Sequence, residues 1–167
     1  MRKILYTFTI FIFSTSCLYG SDLNIFSVGF FDFNKQKNEA IDFRFDKRFD
    51  ETLFDLGPKE SPLFALKPFY GIEATSDSAI YVLGGIYVEE KIGKRTYITP
   101  NIGVGAYDEG DGKKLGSVIE FRSTIEISYE LKNSNRIGAS IGHISNAGID
   151  DKNPGTEIIS FSYQIPF

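Results

Sequence analysis

Residues 40–49, AIDFRFDKRF, alternate between apolar and charged side chains. The apolar positions are Ile41, Phe43, Phe45 and Phe49, and the charged positions between them are Asp42, Arg44, Asp46 and Arg48. Successive side chains of a β-strand point to opposite faces, so the stretch predicts a strand with one apolar face and one charged face.

The same pattern returns in residues 119–130, IEFRSTIEISYE. Its apolar members are Ile119, Phe121, Ile125, Ile127 and Tyr129, and its polar members are Glu120, Arg122, Thr124, Glu126 and Glu130. Charges at this density do not fit the interior of a small soluble barrel, but they suit the polar lumen of a small membrane barrel. We therefore expect the apolar face to point outward, into lipid.

Eight segments of this kind follow one another, and helical periodicity is not convincing in any part of the chain. They lie near residues 23–33, 39–49, 62–75, 79–91, 95–107, 116–131, 135–147 and 157–167. Segments three to five contain Pro68, Pro100 and paired glycines, which indicate bulges, kinks or tight packing rather than a break in the sheet. The prediction is an all-β fold, an eight-stranded antiparallel transmembrane β-barrel.

An even number of strands places both termini on one side of the membrane, which for an outer-membrane barrel is the periplasmic side. The polar loop 108–114, DEGDGKK, and a turn near Asp150 then face the outside of the cell. The long connection from Asp50 to Ser61 belongs to the periplasmic side, where short turns are expected. The final strand ends on Phe167 after alternating aromatic residues, as is typical of outer-membrane barrels.

Composition agrees with this class and excludes others. The 167 residues suffice for one domain, and a net charge of −4 gives no support to a nucleic-acid partner. Aromatic residues make up 15 % of the chain, while the mean hydropathy of −0.12 is low for a helical membrane protein. A membrane barrel satisfies both values, because only alternate residues must be apolar.

The first residues predict export. A basic start, Met1–Lys3, precedes an apolar run that ends at Phe13 and is too short to span a bilayer as a helix. We assign residues 1–20 to a signal peptide, with cleavage after Ser16 or Gly20, and residues 21–167 to the barrel. Cys17 also allows lipidation, although the residues before it lack the usual aliphatic side chain. The predicted location is the outer membrane.

The candidate site lies in residues 136–157, RIGASIGHISNAGIDDKNPGTE, which hold the only histidine. His143 and Ser145 share one strand face, and Glu157 begins the outer face of the next strand. A turn centred near Asp150 places position 143 opposite position 157, with the two Cβ atoms roughly 5 Å apart. A serine, a histidine and a carboxylate on one surface form the arrangement that activates a serine hydroxyl.

These residues also carry a family resemblance. The run His143–Gly148, the run Asn153–Glu157 and the closing Tyr163 and Phe167 resemble the PagL family of outer-membrane lipid A 3-O-deacylases. An upstream block is similar to the same family, namely Leu115-Gly116-Ser117 followed by Glu120-Phe121-Arg122. The resemblance is strong over the C-terminal half. In the N-terminal half it is limited to the size of the chain and its general residue pattern.

The resemblance implies a serine-type ester hydrolase that removes the 3-linked hydroxyacyl chain from lipid A in the outer leaflet. Ser145 would be the nucleophile, His143 the general base and then acid, and Glu157 the group that orients the imidazole. It also implies that Asn153 and the backbone N–H of Gly148 stabilise the oxyanion, with Asn146 in support. No cofactor and no metal are expected, and whether the barrel forms a homodimer stays open.

The sequence also allows other interpretations. Lys113, Lys114 and Lys152 are either contacts for lipid A phosphates or solvated loop residues. A non-catalytic small barrel, structural or adhesin-like, would make His143 incidental. A soluble lipocalin-type barrel would reverse the two faces and bury the phenylalanines inside.

Overall fold

A computed structural model describes residues 21–55 and 65–167. The predicted signal peptide therefore lies outside the described residues, as does part of the Asp50 to Ser61 connection. Within these two ranges, no helix is long and apolar enough to cross a membrane.

The described residues form ten antiparallel strands, of which β3 and β6 have two residues each. The strands are β1 (Leu23–Phe31), β2 (Ala40–Arg48), β3 (Phe54–Asp55), β4 (Ala65–Thr75), β5 (Ile80–Tyr87), β6 (Glu90–Lys91), β7 (Thr96–Asp108), β8 (Ile119–Glu130), β9 (Arg136–Ser145) and β10 (Thr156–Pro166). The eight longer strands pair in the order β2, β1, β10, β9, β8, β7, β5, β4, and β2 pairs with β4 to close the ring. The predicted eight-stranded barrel is confirmed, and each of the eight segments overlaps one of its strands.

The two faces are oriented as the alternation predicts. Phe43 is 56 % exposed and Ile127 is 53 % exposed, whereas Asp42 and Glu126 are fully buried. Apolar side chains thus cover the outside of the barrel and charged side chains fill its lumen, which excludes the lipocalin-type interpretation. This apolar belt matches what a bilayer requires of a barrel.

Ion pairs cross the lumen. Arg122 on β8 contacts Asp46 on β2 at 2.9 Å and Glu73 on β4 at 3.0 Å, and Arg48 contacts Glu126 at 2.7 Å. These side chains are at most 3 % exposed. The lumen is therefore a packed polar core that ties opposite walls together.

The connections divide between the two ends of the barrel. Those after β1, β4, β7 and β9 lie at one end, here called the loop end, and the start of β1 and the end of β10 lie at the other, where the backbone N–H of Phe167 donates to Asp22. In the long connection after β2, the strand β3 pairs with Leu66 and Ala65 at the start of β4. Part of that connection is thus additional sheet.

Glycines on β5 and β7 allow these two strands to approach closely. A Cβ on Gly85 would lie 2.5 Å from the Cα of Gly103 and 2.7 Å from the ring of Phe69. The register between the strands runs without interruption from Ile80 to Tyr87. Of the alternatives raised by the sequence, tight packing is the one observed here, because Phe69 occupies the space that side chains would take.

An apolar cluster fills the lumen at the loop end. Its buried members there include Phe31, Tyr81, Tyr107, Leu115, Ile144 and Ile158. Ile144 and Ile158 point inward from β9 and β10 and are 0 % and 1 % exposed. They anchor the two strands beside the positions from which His143 and Glu157 point outward.

Candidate active site

The pairing of β9 with β10 brings the histidine and the glutamate together. His143 is the partner of Glu157, and Ile144 is the partner of Thr156. The register predicted from the turn is therefore confirmed. Ile144 and Thr156 are buried, so the alternating residues His143, Ser145 and Glu157 belong to the outer face.

The imidazole and the carboxylate lie within ion-pair distance. Nδ1 of His143 is 3.5 Å from Oε1 of Glu157, and the side chains are 46 % and 24 % exposed. Oε2 of Glu157 is buried and has no hydrogen-bond partner among the described residues. With Nδ1 directed at the carboxylate, Nε2 is the nitrogen that remains for a second partner.

Ser145 is the last residue of β9 and is half-buried. Across β9 from Glu157, the strand β8 places Ser123 opposite His143 and Phe121 opposite Ser145. Two serines thus lie near the histidine, and Ser123 is the exposed one. The sequence motif indicates Ser145, and Ser123 provides a neighbouring comparison for experiments.

Gly155 packs against the face of the histidine. Its φ is +58°, and a Cβ at this position would lie 2.9 Å from Cε1 and 3.3 Å from Nε2 of His143. A side chain here would push the imidazole aside, and the left-handed backbone also favours glycine. The sequence predicted only a turn-forming role for Gly155 within Asn153–Glu157 and did not predict its contact with His143.

The loop after β9 is organised by Asn146, which is fully buried. Its side-chain amide donates to the carbonyl of Lys152 at 2.8 Å and to that of Leu115 at 3.3 Å. Its Oδ1 accepts from the N–H of Gly148 at 2.9 Å, and its own N–H donates to Oδ1 of Asn153 at 3.2 Å. Asn146 therefore connects Gly148 and Asn153, the other two residues predicted to support an oxyanion.

The structure differentiates those three residues. The N–H of Gly148 already donates to Asn146, so an oxyanion there would have to share that donor. The side-chain nitrogen of Asn153 makes no hydrogen bond to the described residues, and Asn153 is exposed. Asn153 is thus the member of the set with a free donor.

The upstream block meets this loop in space. The carbonyl of Leu115 accepts from Asn146, and the N–H of Ser117 donates to Glu120 at 3.3 Å. The two sequence blocks that carried the resemblance are therefore in contact, although about 30 residues separate them.

A buried cluster beneath the outer loops was not predicted. Asp32, directly after β1, accepts from Lys113 and from Thr156, which begins β10. The N–H groups of Lys37 and Asn38 donate to its other oxygen. Lys113 is only 7 % exposed, so this lysine is a structural partner of Asp32 rather than a free loop cation.

The chain matches a known protein family over most of its length. Residues 34–166 match the family described as lipid A 3-O-deacylase (PagL). The chain belongs to the PagL family. The match starts shortly after β1 and includes the other barrel strands, so membership extends well beyond the C-terminal half on which the sequence motifs lie.

Two curated relatives share this family. The chain is 38 % identical over 77 residues to the lipid A deacylase PagL of Bordetella bronchiseptica, covering 45 % of this chain and 43 % of the relative. It is 35 % identical over 75 residues to the lipid A deacylase PagL of Pseudomonas aeruginosa, covering 43 % of each. These alignments span less than half the length of either relative.

Solved structures support the fold. The crystal structure of the outer membrane enzyme PagL aligns with a TM-score of 0.63 at 21 % identity, covering 87 % of this chain and 99 % of that chain. A de novo designed transmembrane β-barrel aligns at 0.58 with 12 % identity, covering 90 % and 100 %. Membership of the PagL family, together with the barrel and its apolar belt, places the protein in the outer membrane.

Proposed function

We propose that this protein is a serine-type lipid A 3-O-deacylase that works from the lipid-facing surface of the barrel in the outer leaflet. Family membership supports the substrate and the reaction. The observation that carries the proposal is the pairing of His143 with Glu157 on the outer face at the loop end. Polar and ionisable groups on a lipid face are costly, so their presence requires a function.

The first step forms an acyl-enzyme. His143 removes the hydroxyl proton of Ser145 through Nε2, and the serine oxygen attacks the ester carbon of the 3-linked hydroxyacyl chain. Glu157 holds the imidazole through Nδ1 and stabilises its charged form. Collapse of the tetrahedral intermediate breaks the ester bond, and His143 returns the proton to the oxygen of the sugar.

The second step releases the product. Water attacks the acyl-serine while His143 takes its proton, and a free hydroxy fatty acid leaves as the serine hydroxyl is restored. We assign the oxyanion in both steps to the side-chain amide of Asn153 and the N–H of Gly148, with Asn146 holding the loop. The free donor on Asn153 supports this assignment.

The position of the site supports action on a membrane lipid. The start of β1 and the end of β10 lie at the end of the barrel opposite the site, and a periplasmic location of that end would support action in the outer leaflet. A lipid beside the barrel can then present its ester to Ser145 without leaving the bilayer. The apolar neighbours on the same face, among them Ile141 and Ile159, suit the acyl chains.

Substitution of the catalytic pair tests the proposal. Ser145→Ala and His143→Ala should each lower deacylation roughly a thousandfold or more while the barrel still folds, because both side chains lie on the outer face and neither builds the sheet. Glu157→Ala should cause about a hundredfold smaller loss than Ser145→Ala, since it acts through the histidine. The measurement is mass spectrometry of lipid A from expressing cells, with heat-modifiable gel migration as the check of folding.

Ser123→Ala is the matched control. It removes a hydroxyl from the same outer face, opposite the same histidine, and should leave the rate near that of the parent. An inactive Ser123→Ala beside an active Ser145→Ala would reassign the nucleophile. Unchanged lipid A in cells that express the folded parent would instead favour the non-catalytic barrel.

A further inference from the structure

A basic pocket lies at the loop end beside the candidate active site. It is a cavity of about 420 Å³ lined by Asp32, Lys35, Lys37, Asn38, Gly112, Lys113, Lys114 and Pro154. Its walls come from the loop after β1, the loop after β7 and the loop after β9. Four lysines and one carboxylate among the lining residues make its charge positive.

The floor of this pocket is preformed and carries no net charge, because Asp32 pairs with Lys113. Asp32 is fully buried and pairs with Lys113, while the N–H groups of Lys37 and Asn38 and the hydroxyl of Thr156 donate to the same carboxylate. These contacts join two of the loops to the first residue of β10. The floor therefore keeps its shape without a ligand.

The rim keeps unpaired positive charge. Among residues 21–55 and 65–167, no carboxylate lies within ion-pair distance of Lys35 or Lys37; Lys35 donates to the carbonyl of Pro154. Lys114 lies 3.8 Å from Glu109, but its side chain is 84 % exposed, so this pair is weak. Three lysines thus line one cavity with few carboxylates to neutralise their charge, which favours a multiply charged anion.

The pocket and the site share one short segment of chain. Pro154 lines the pocket, Gly155 packs against His143, and Glu157 pairs with that histidine. A molecule bound in the pocket would therefore lie beside the segment that contacts His143. The lipid-facing site and the water-facing pocket also match the two halves of a lipid whose headgroup carries phosphate.

We propose that this pocket binds a phosphate group of the lipid A headgroup and so positions the ester at Ser145. Lys37 and Lys114 make the phosphate contacts, Lys35 adds charge while it fixes the loop, and the Asp32–Lys113 pair supports the floor. The inference rests on the proposed function and deepens it, because it assigns headgroup recognition to residues outside the catalytic set. It predicts an enzyme that discriminates phosphorylated from dephosphorylated lipid A.

Kinetics with two lipids test the inference. Purified protein in detergent is given lipid A with its phosphates and the same lipid after phosphatase treatment. The parent should show a KM about tenfold lower for the phosphorylated lipid, and Lys37→Gln/Lys114→Gln should remove that advantage. The control Lys94→Gln/Lys132→Gln makes the same charge change at the opposite end and should behave as the parent. Equal KM values for both lipids in the parent, or a test variant that matches the control, would overturn the inference.

Two further measurements separate the alternatives. Turnover of the dephosphorylated lipid by the parent reports on deacylase activity alone. If neither lipid is cleaved, equilibrium binding of each lipid to Ser145→Ala still tests the pocket. Equal affinities of that variant for the two lipids would refute the phosphate assignment. Inorganic phosphate at matched ionic strength should raise KM for the phosphorylated lipid more than chloride does, and this effect should disappear in Lys37→Gln/Lys114→Gln. Binding of inorganic phosphate that depends on Lys37 and Lys114, without preference between the lipids, would assign the pocket to a free anion and overturn the lipid assignment.

Discussion

At the residue scale, the imidazole of His143 can occupy its position because Gly155 has no side chain. Cε1 of His143 lies only 2.9 Å from where a Cβ of residue 155 would be, and Nδ1 of the same ring lies 3.5 Å from Oε1 of Glu157. The position of His143 thus depends on the backbone of Gly155 and on the carboxylate of Glu157. Its orientation follows from both contacts, although only the carboxylate resembles a catalytic partner.

Gly155→Ala should therefore impair the reaction more than it impairs the fold. The new methyl group would displace the imidazole, and we expect kcat to fall by at least about tenfold, since small misplacements of a catalytic group cost up to a hundredfold. The positive φ adds a stability cost of roughly 1 kcal/mol. Gly148→Ala, at φ +78° with nothing within 4 Å of the added Cβ, measures that backbone cost alone. Unchanged kcat in a folded Gly155→Ala protein would contradict the packing argument, and urea unfolding in detergent provides the stability comparison.

At the scale of elements, Asp32 connects two loops of the loop end, those after β1 and β7, to the start of β10. Burial alone would raise the pKa of this carboxyl, but hydrogen bonds from Lys113, Asn38 and Lys37 and the charge of Lys113 outweigh burial, so the pKa lies below its ordinary value of 3.8. A carboxyl whose pKa falls on folding stabilises the folded state above the unfolded-state pKa. That stabilisation is lost as pH falls through the lower folded-state pKa.

Asp32→Asn should accordingly destabilise the protein at pH 7 and lose its effect in strong acid. We expect a decrease of about 2 kcal/mol in the free energy of unfolding at pH 7, because a charge-assisted hydrogen-bond cluster is weakened. The difference between parent and variant should shrink as pH falls below about 4. Urea unfolding from pH 7 to pH 2 measures it, with Asp151→Asn in the exposed turn as the matched control. A difference that is constant over this range would contradict the role of the ionised carboxyl.

The elements also show what the sequence could predict. Alternation in residues 40–49 and 119–130 predicted the strands and their faces, because period-two patterning is a local property. The register of His143 with Glu157 was predictable because their strands are consecutive in the chain and are joined by the single loop 146–155. The contacts of Asp32 with Lys113 and Thr156 join residues 81 and 124 positions apart, and no local pattern reports such pairs. The contact of Gly155 with His143 likewise depends on loop geometry that the turn residues alone leave open.

At the scale of the whole molecule, the lumen acts as the core of the barrel. Arg122 reaches from β8 to Glu73 on β4 and Asp46 on β2, and Gln164 on β10 donates to Glu126 at 2.9 Å. The outer face contributes little internal packing, because lipid covers it. The ion pairs therefore connect walls that are not neighbours in the sheet and hold the ring on which β9 and β10 present the site.

Arg122→Met should weaken the whole barrel. Asp46 keeps Arg44 at 3.2 Å, but Glu73 loses the only ion-pair partner it has among the described residues. Leaving a buried charge without its partner costs about 3–5 kcal/mol, so the free energy of unfolding in detergent should fall by that order. Adding Glu73→Gln should restore part of the loss, because the uncompensated charge is removed, while Arg95→Met in a turn serves as the matched control. An Arg122→Met barrel as stable as the Arg95→Met barrel would show that packing in the lumen, rather than charge pairing, holds the walls together.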